Sequence, residues 1–267
     1  MPDLFRPVIL RYDSLPSTNT EAAQQAARGA HEGLCVVARE QTRGRGRRER
    51  VWASPPGAGL YFSIVLRPRI AAQSWPLITL TAALAVRDAL GEACALETDI
   101  KWPNDILDAR GRKLCGILAE AIETKTGRAC ILGIGINLTE SAYPPELAAQ
   151  ATCVEAALAG GGAVAGAGAR VDAERVLAAL LRRLAERYAQ LQSAPEGPTE
   201  IIRDWSANSS YASGKHVRVH TASEIYEGTT RGLEPDGALR VETAAGETKI
   251  VRAGDVHALR AETPEAD

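Results

Sequence analysis

The sequence predicts an α+β protein: a mixed sheet with helices over residues 1–208, then a small all-β unit over 209–267. Three observations lead there. Up to about Asn208, helix-periodic stretches alternate with short apolar runs of strand length. A segment of almost pure alanine and glycine, Ala156–Ala169, interrupts that order. After Tyr211 the helical period disappears, and short alternating runs remain between Gly, Pro and Asp turns, the spacing of a small barrel or sandwich.

The elements follow in order. Val8–Tyr12 is an apolar run that opens the sheet. Thr18 with Glu21 three residues later has the form of a capping box, which predicts a helix ending near Gly29. Leu34–Arg39 and Leu60–Leu66 read as strands, and Gln41–Arg50, without one apolar side chain, as a loop. Trp75–Gly91 carries Leu, Ala and Val at helical spacing on most sides, the pattern of a buried helix. Leu96–Trp102 reads as a strand stopped by Pro103. Lys113–Glu123 and Ala129–Asn137 flank the turn TKTGR as a hairpin. Ala156–Ala169 reads as the end of a short helix and a flexible link. Asp172 caps a long amphipathic helix over Ala173–Leu191, and Ile201–Trp205 is a further short one. The tail runs are Val217–His220, Ile225–Leu233, Ala238–Thr243, Thr248–Val251 and Val256–Arg260.

Composition excludes several classes of function. A net charge of −2 and a pI near 6.2 do not suit a protein that binds nucleic acid over its whole surface, so any basic site must be local. No apolar run reaches the roughly twenty residues of a membrane span, and MPDLFRPVIL lacks the apolar stretch of a signal peptide. The five cysteines are widely spaced, odd in number and never CxxC, as expected of reduced core thiols in the cytoplasm. The four histidines show no metal-ligand spacing, so no protein-built metal site is expected.

Four arginines fall within Gly44–Arg50, making a dense cationic loop in a nearly neutral chain. Arginine offers a planar fork of donors to phosphate or carboxylate, and Gly44 and Gly46 let backbone N–H groups approach a ligand. The string by itself fits a solvated basic loop or a nucleic-acid patch about as well. Ordering some ten such residues costs about 10–20 kcal/mol of backbone entropy, so the loop is expected to be mobile until it closes on an anion. Lys101 ends a strand just before Pro103, where a side chain can enter a crevice or simply lie at the surface. Gly116, Gly133 and Gly135 sit inside strand-like runs, which marks either a bend or the close approach of a ligand.

Taken in order, Ser17-Thr18-Asn19, GRGRRERVWASPPGAGLYFS at Gly44–Ser63, KWPNDIL at Lys101–Leu107, KLCGILAE at Lys113–Glu120 and GIGINL at Gly133–Leu138 resemble the motif series of biotin protein ligases. The resemblance implies the mixed-sheet catalytic domain of the biotin/lipoate ligase type with a small C-terminal SH3-like β-barrel. It implies formation of biotinyl-5′-AMP from biotin and ATP, then transfer of the biotinyl group to one lysine of a biotin carboxyl carrier protein. Carried over by position, Ser17, Thr18, Asn19 and Gln41 line the biotin pocket. Arg45, Gly46 and Arg47 fold over biotin and the adenylate. Lys101 contacts the biotin carboxyl oxygen and the α-phosphate. Gly116 and Leu118 belong to the strand that meets the ureido ring. Trp52, Asn104 and Asn137 surround the nucleotide together with Arg47 and Lys101, and Lys101 and Arg47 are the expected catalytic residues. Mg²⁺ is expected to be bound mainly through the ATP phosphates. No DNA or membrane partner is expected, and monomer and homodimer stay open. One departure stands out: Glu49 occupies a position where the family usually has glycine, and Arg43 adds a cation beside it.

The nearest rival shares the fold. Lipoate ligases and transferases also modify a carrier lysine, but the GRGRR series argues against them. A DNA-binding regulator is the rival from another class. Only about seven residues precede the first expected strand, too few for a helix-turn-helix module.

Overall fold

A computed structural model describes residues 7–160, 170–193 and 195–259. Seven strands form the first sheet: β1 (Ile9–Leu15), β2 (Cys35–Gln41), β3 (Gly59–Leu66), β4 (Asp99–Lys101), β5 (Asp105–Leu107), β6 (Lys113–Thr124) and β7 (Gly127–Asn137). Their spatial order is β1-β2-β3-β7-β6-β5-β4. β1 and β2 run parallel and every other neighbouring pair is antiparallel, which makes the sheet mixed.

Alternation along β3 sets the layers. Leu60, Phe62, Ile64 and Leu66 face the main core, which is shared with α2 (Leu77–Cys94), α4 (Ala173–Gln192) and α5 (Gly197–Ala207). Val65 faces the other way. With Val36, Ala129 and Ile131 it packs beneath Ala22 and Ala26 of α1 (Thr18–Ala27). α2 is buried on most sides because it lies between the sheet and α4, and Asp172 caps α4 by accepting from the N–H groups of Glu174 (2.9 Å) and Arg175 (3.3 Å).

Several sequence expectations change. The capping box does not form. Ser17 is the N-cap and makes no side-chain capping bond, and Thr18 is the first helical residue. Its hydroxyl donates to Gln41 instead, while Glu21 accepts from Tyr12 and Gln25. A tertiary partner has displaced the local one. Gln41 closes β2 rather than opening the loop. Of Leu96–Trp102 only Asp99–Lys101 is strand, and the chain turns at Trp102-Pro103 to add β5, which is too short to show alternation. α3 (Val154–Gly160) ends where the glycines begin, and the expected link at 161–169 lies outside the described residues.

The five runs of the tail form β8 (Ser213–His220), β9 (Ile225–Leu233), β10 (Leu239–Glu242), β11 (Thr248–Val251) and β12 (Asp255–Ala258), in the antiparallel order β11-β10-β9-β8-β12. This sheet is tied to the first. Trp102 Nε1 donates to Gly237 O at 3.0 Å, and the N–H and hydroxyl of Ser210 both bond Asp99, at 2.8 and 2.6 Å. The attachment carries the start of β12 to the loop over Gly44–Arg50.

Asp172→Ala removes the α4 cap and is expected to lower unfolding free energy by about 1 kcal/mol. Leu84→Ala, at a fully buried position of α2, is expected to lower it by about 2–5 kcal/mol. Urea denaturation of the two variants against the parent measures both.

Candidate active site

On the α1 side of the sheet, three glycines interrupt the side chains. Along β3, Val65 is followed on that face by Ser63 and Tyr61. Ser63 pairs across with Gly133, and Gly133 with Leu118; one rung further, Tyr61 pairs with Gly135, and Gly135 with Gly116. The result is a trough in the sheet beside the N-terminus of α1. A cleft of about 1150 Å³, counted to its open mouth, lies over it.

Two groups reach into the trough. The Asn19 amide lies so close to Gly133 that a Cβ there would stand 2.1 Å from its Oδ1. The Trp52 ring lies against Gly135 and Gly116, and a Cβ on Gly135 would stand 2.5 Å from Nε1. The interior glycines therefore mark close approach rather than a bend. Here the groups that approach are protein side chains. Trp52 Nε1 is buried with no hydrogen-bond partner, which leaves a donor unanswered in the cleft.

The floor is a polar network. Gln41 Oε1 accepts from Thr18 N (2.8 Å) and Thr18 Oγ1 (3.1 Å), and Gln41 Nε2 donates to Ser54 Oγ (2.8 Å). Ser63 Oγ lies 2.6 Å from Asn19 Oδ1 and 2.8 Å from Thr18 Oγ1, and Asn19 Nδ2 donates to Glu120 at 2.7 Å. Ser17, Thr18, Asn19 and Ser63 are all buried. Such a chain fixes the direction of each dipole before a ligand arrives.

The roof is the loop over Gly44–Arg50, which folds back through an Arg45–Val51 bridge and a single turn at Arg47–Glu49. Arg45 pairs with Glu120 at 2.7 Å. Arg47 donates to Asn104 Oδ1 (3.1 Å) and Gly254 O (3.2 Å), and Asn104 is itself fixed by donating to Ile117 O at 2.9 Å. Burial lowers the affinity of the Arg47 guanidinium for its proton, and the nearby Asp255 carboxylate partly restores it. Arg48 and Glu49 lie in the left-handed region, at φ 52° and 60°. The glutamate that departs from the family pattern thus holds a backbone conformation that glycine takes without cost.

The lysines divide differently from the sequence reading. Lys113 lines the cleft, with its Nζ 2.5 Å from Asp105 Oδ1 and 5.3 Å from the centre of the Trp52 ring. Lys101 is not among the lining residues. It pairs with Asp105 across the β4–β5 turn, 3.8 Å from Oδ2, and burial pulls its pKa down while Asp105 opposes the shift. The charges of Lys113, Asp255 and Arg50, which line the cleft, also act on it. The other expected site residues, Ser17, Thr18, Asn19, Gln41, Arg45, Gly46, Arg47, Trp52, Asn104, Gly116, Leu118 and Asn137, all line the cleft. The Asn137 amide is occupied by donating to Thr152 O. Lys113, Asp105, Glu120 and Asp255 were missed. Glu120 could have been found, because it stands on the same face of β6 as Gly116. Lys113 could not, because it reaches that side only through the irregularity that shifts the β5–β6 register. Asp255 had no local signal.

Among the described residues, no three His, Cys, Asp or Glu side chains are grouped to hold a metal ion, and no helix is long and apolar enough to cross a membrane. All five cysteines are free and mostly buried.

Comparison with known proteins agrees with this geometry. The Biotin/lipoate A/B protein ligase family matches residues 12–137, and the Biotin protein ligase C terminal domain matches residues 212–257. The chain is 38% identical over 250 residues to the bifunctional ligase/repressor BirA of Bacillus subtilis, covering 92% of this chain and 72% of that protein. It is 37% identical over 246 residues to the biotin–[acetyl-CoA-carboxylase] ligase of Paracoccus denitrificans, covering 90% and 96%. Among solved structures, the biotin protein ligase of Aquifex aeolicus in complex with biotin and ATP superposes with a TM-score of 0.78 at 26% identity, over 96% of this chain and 100% of that one. The mixed sheet, the SH3-like C-terminal sheet and the sequence identity over most of the chain lead to one conclusion: this chain belongs to the biotin protein ligase family.

Proposed function

We infer that the protein is an ATP-dependent biotin–protein ligase that makes biotinyl-5′-AMP and passes the biotinyl group to one lysine of a biotin carboxyl carrier protein. The observation that carries this is a single cleft with a fixed polar floor and a cationic roof, in a chain of this family. In the first step a biotin carboxylate oxygen attacks the α-phosphorus of ATP, and pyrophosphate leaves. In the second the carrier lysine amine attacks the acyl carbon, loses a proton and expels AMP. Both steps bring anions together or shed one, so the protein's task is to aim cations and exclude water. No enzyme nucleophile is needed.

Ser17, Thr18, Asn19 and Gln41 suit the ureido ring of biotin, which offers two N–H donors and one carbonyl. Lipoate is disfavoured because the relatives that match over most of the chain are biotin ligases. Gly116 and Leu118 form the trough wall beside that ring. Arg45 and Gly46 close over it. Arg47, Trp52, Asn104 and Asn137 take the nucleotide side, where the free Trp52 Nε1 supplies a donor. Lys113, facing the cleft, is assigned to the reacting carboxylate and α-phosphate, the place the sequence pattern suggested for Lys101. Lys101, paired to the same carboxylate, adds positive potential toward the phosphates. Mg²⁺ is taken to arrive on the ATP phosphates. The boundary between the catalytic and C-terminal units is set at 208/209, and the setting is cytoplasmic, as the reduced cysteines suggest.

Biotin-dependent ATP–pyrophosphate exchange tests the assignment directly. Exchange is expected with biotin and not with lipoate. Losing a charge-assisted bond or two at the reacting atoms costs several kcal/mol, so Lys113→Ala should slow exchange by at least about 10²-fold. Lys101→Ala should slow it by about tenfold. The opposite ranking would return the reacting position to Lys101. Arg47→Ala should form the adenylate but release it into solution, measured by trapping free biotinyl-AMP. Gly135→Ala should push Trp52 off the trough and raise KM for ATP by about tenfold, with biotin affinity little changed in a binding titration.

A further inference from the structure

The loop that carries Arg47 is held by a residue of the C-terminal sheet. Asp255 opens β12 and lines the same cleft. Its carboxylate pairs with Arg50, with Arg48 at 3.3 Å and more distantly with Arg47 at 3.9 Å, and its side chain is only 14% exposed. Arg47 spends its hydrogen bonds elsewhere, on Asn104 and on Gly254 O, the residue just before Asp255. The loop held this way is not a relaxed one. Arg48 and Glu49 are successive left-handed residues, a pairing that L side chains resist. The Gly46 N–H to Arg50 O bond at 2.7 Å closes the turn but cannot offset two such residues and the ordering of the segment. Packing does not help either, because Val51 is 83% exposed. What remains are the Trp52 N–H to Gly44 O bond at 3.0 Å and the side-chain bonds from Arg45 to Glu120, from Arg47 to Asn104, and from Arg47, Arg48 and Arg50 to the Gly254-Asp255 corner.

We propose that Asp255 is a positioning residue for acyl-adenylate formation: it grips Arg48 and Arg50, keeps the strained loop closed, and so leaves Arg47 aimed at the nucleotide. The proposal rests on the ligase reading given above. It also gives Glu49 a role. With glutamate at a glycine-type position, this loop depends on Asp255 more than one that carried glycine there, and Glu49→Gly should reduce that dependence.

The test has two arms, using the full chain. The first needs no substrate: limited trypsin digestion, with cleavage after Arg43–Arg50 mapped by mass spectrometry. Asp255→Asn should be cut in that segment about fivefold faster or more, since cleavage follows the population of the open loop. Adding Glu49→Gly to the same chain should bring the rate back at least halfway. The second arm follows enzyme-bound biotinyl-AMP and steady-state kinetics. Asp255→Asn should release the intermediate about tenfold faster, and should raise KM for ATP by a larger factor than it lowers kcat. Arg50→Ala, which leaves β12 untouched, should move both readouts the same way, and so covers the case in which Asp255→Asn disturbs the C-terminal sheet. Unchanged loop cleavage in both Asp255→Asn and Arg50→Ala overturns the proposal. Faster cleavage with unchanged retention and unchanged KM overturns the positioning role. A parent protein with no biotin-dependent activity, but with the same cleavage pattern, would sink the ligase reading and leave the grip of Asp255 on the loop standing.

Discussion

Three glycines, Gly116, Gly133 and Gly135, open a strip of the central sheet, and the site is arranged around it. Two rungs, Ser63-Gly133-Leu118 and Tyr61-Gly135-Gly116, continue the face on which Val65 and Ile131 support α1. Where those apolar side chains stand, a helix can pack. Where they stop, only something narrow enough to lie on backbone fits. The Asn19 amide and the Trp52 ring do so. One sheet face therefore does two things in sequence: it anchors α1 by its alanines, and it leaves the residues at the start of that helix at the edge of a trough. The helix start and the pocket floor are the same residues for this reason. Thr18 is the first helical residue, and its hydroxyl bonds Gln41 in the floor.

Charge imposes the second constraint. Burying a lone cation costs several kcal/mol, and each cation here stands beside a carboxylate. Glu120 answers Arg45, Asp105 answers Lys101 and Lys113, and Asp255 answers Arg47, Arg48 and Arg50. Burial alone would raise the Asp255 carboxyl, yet the three guanidiniums outweigh it and hold it below the usual carboxylate range. The folded-state pKa is lowered, so these pairs add stability at neutral pH and lose it only as acid protonates Asp255. An incoming polyphosphate does not meet bare cations.

The parts of this fold that were legible in the sequence are those encoded locally. The five tail strands follow from turn residues spaced by short alternating runs, and the β6–β7 hairpin from its glycine turn. The buried and the amphipathic helix follow from their periods. What was not legible depended on partners far along the chain. The Thr18 and Glu21 pattern is a sound local signal, overridden by Gln41 and Tyr12. β5 has three residues, too few for a period, and exists because β6 offers an edge to pair with. Asp255 sits in an unremarkable run, Gly254-Asp255-Val256, more than two hundred residues from the arginines it meets.

The two lysines show the same limit most sharply. As a string, Lys101 before a proline looks aimed at a crevice, and Lys113 looks like the polar start of a strand. The β4–β5 turn brings the two to one carboxylate. It sets Asp105 opposite Lys101, and the other oxygen of Asp105 takes Lys113, whose ammonium lies near the Trp52 ring. Nothing in a linear motif records that shared partner, because it is created only when a three-residue strand folds back on its neighbour.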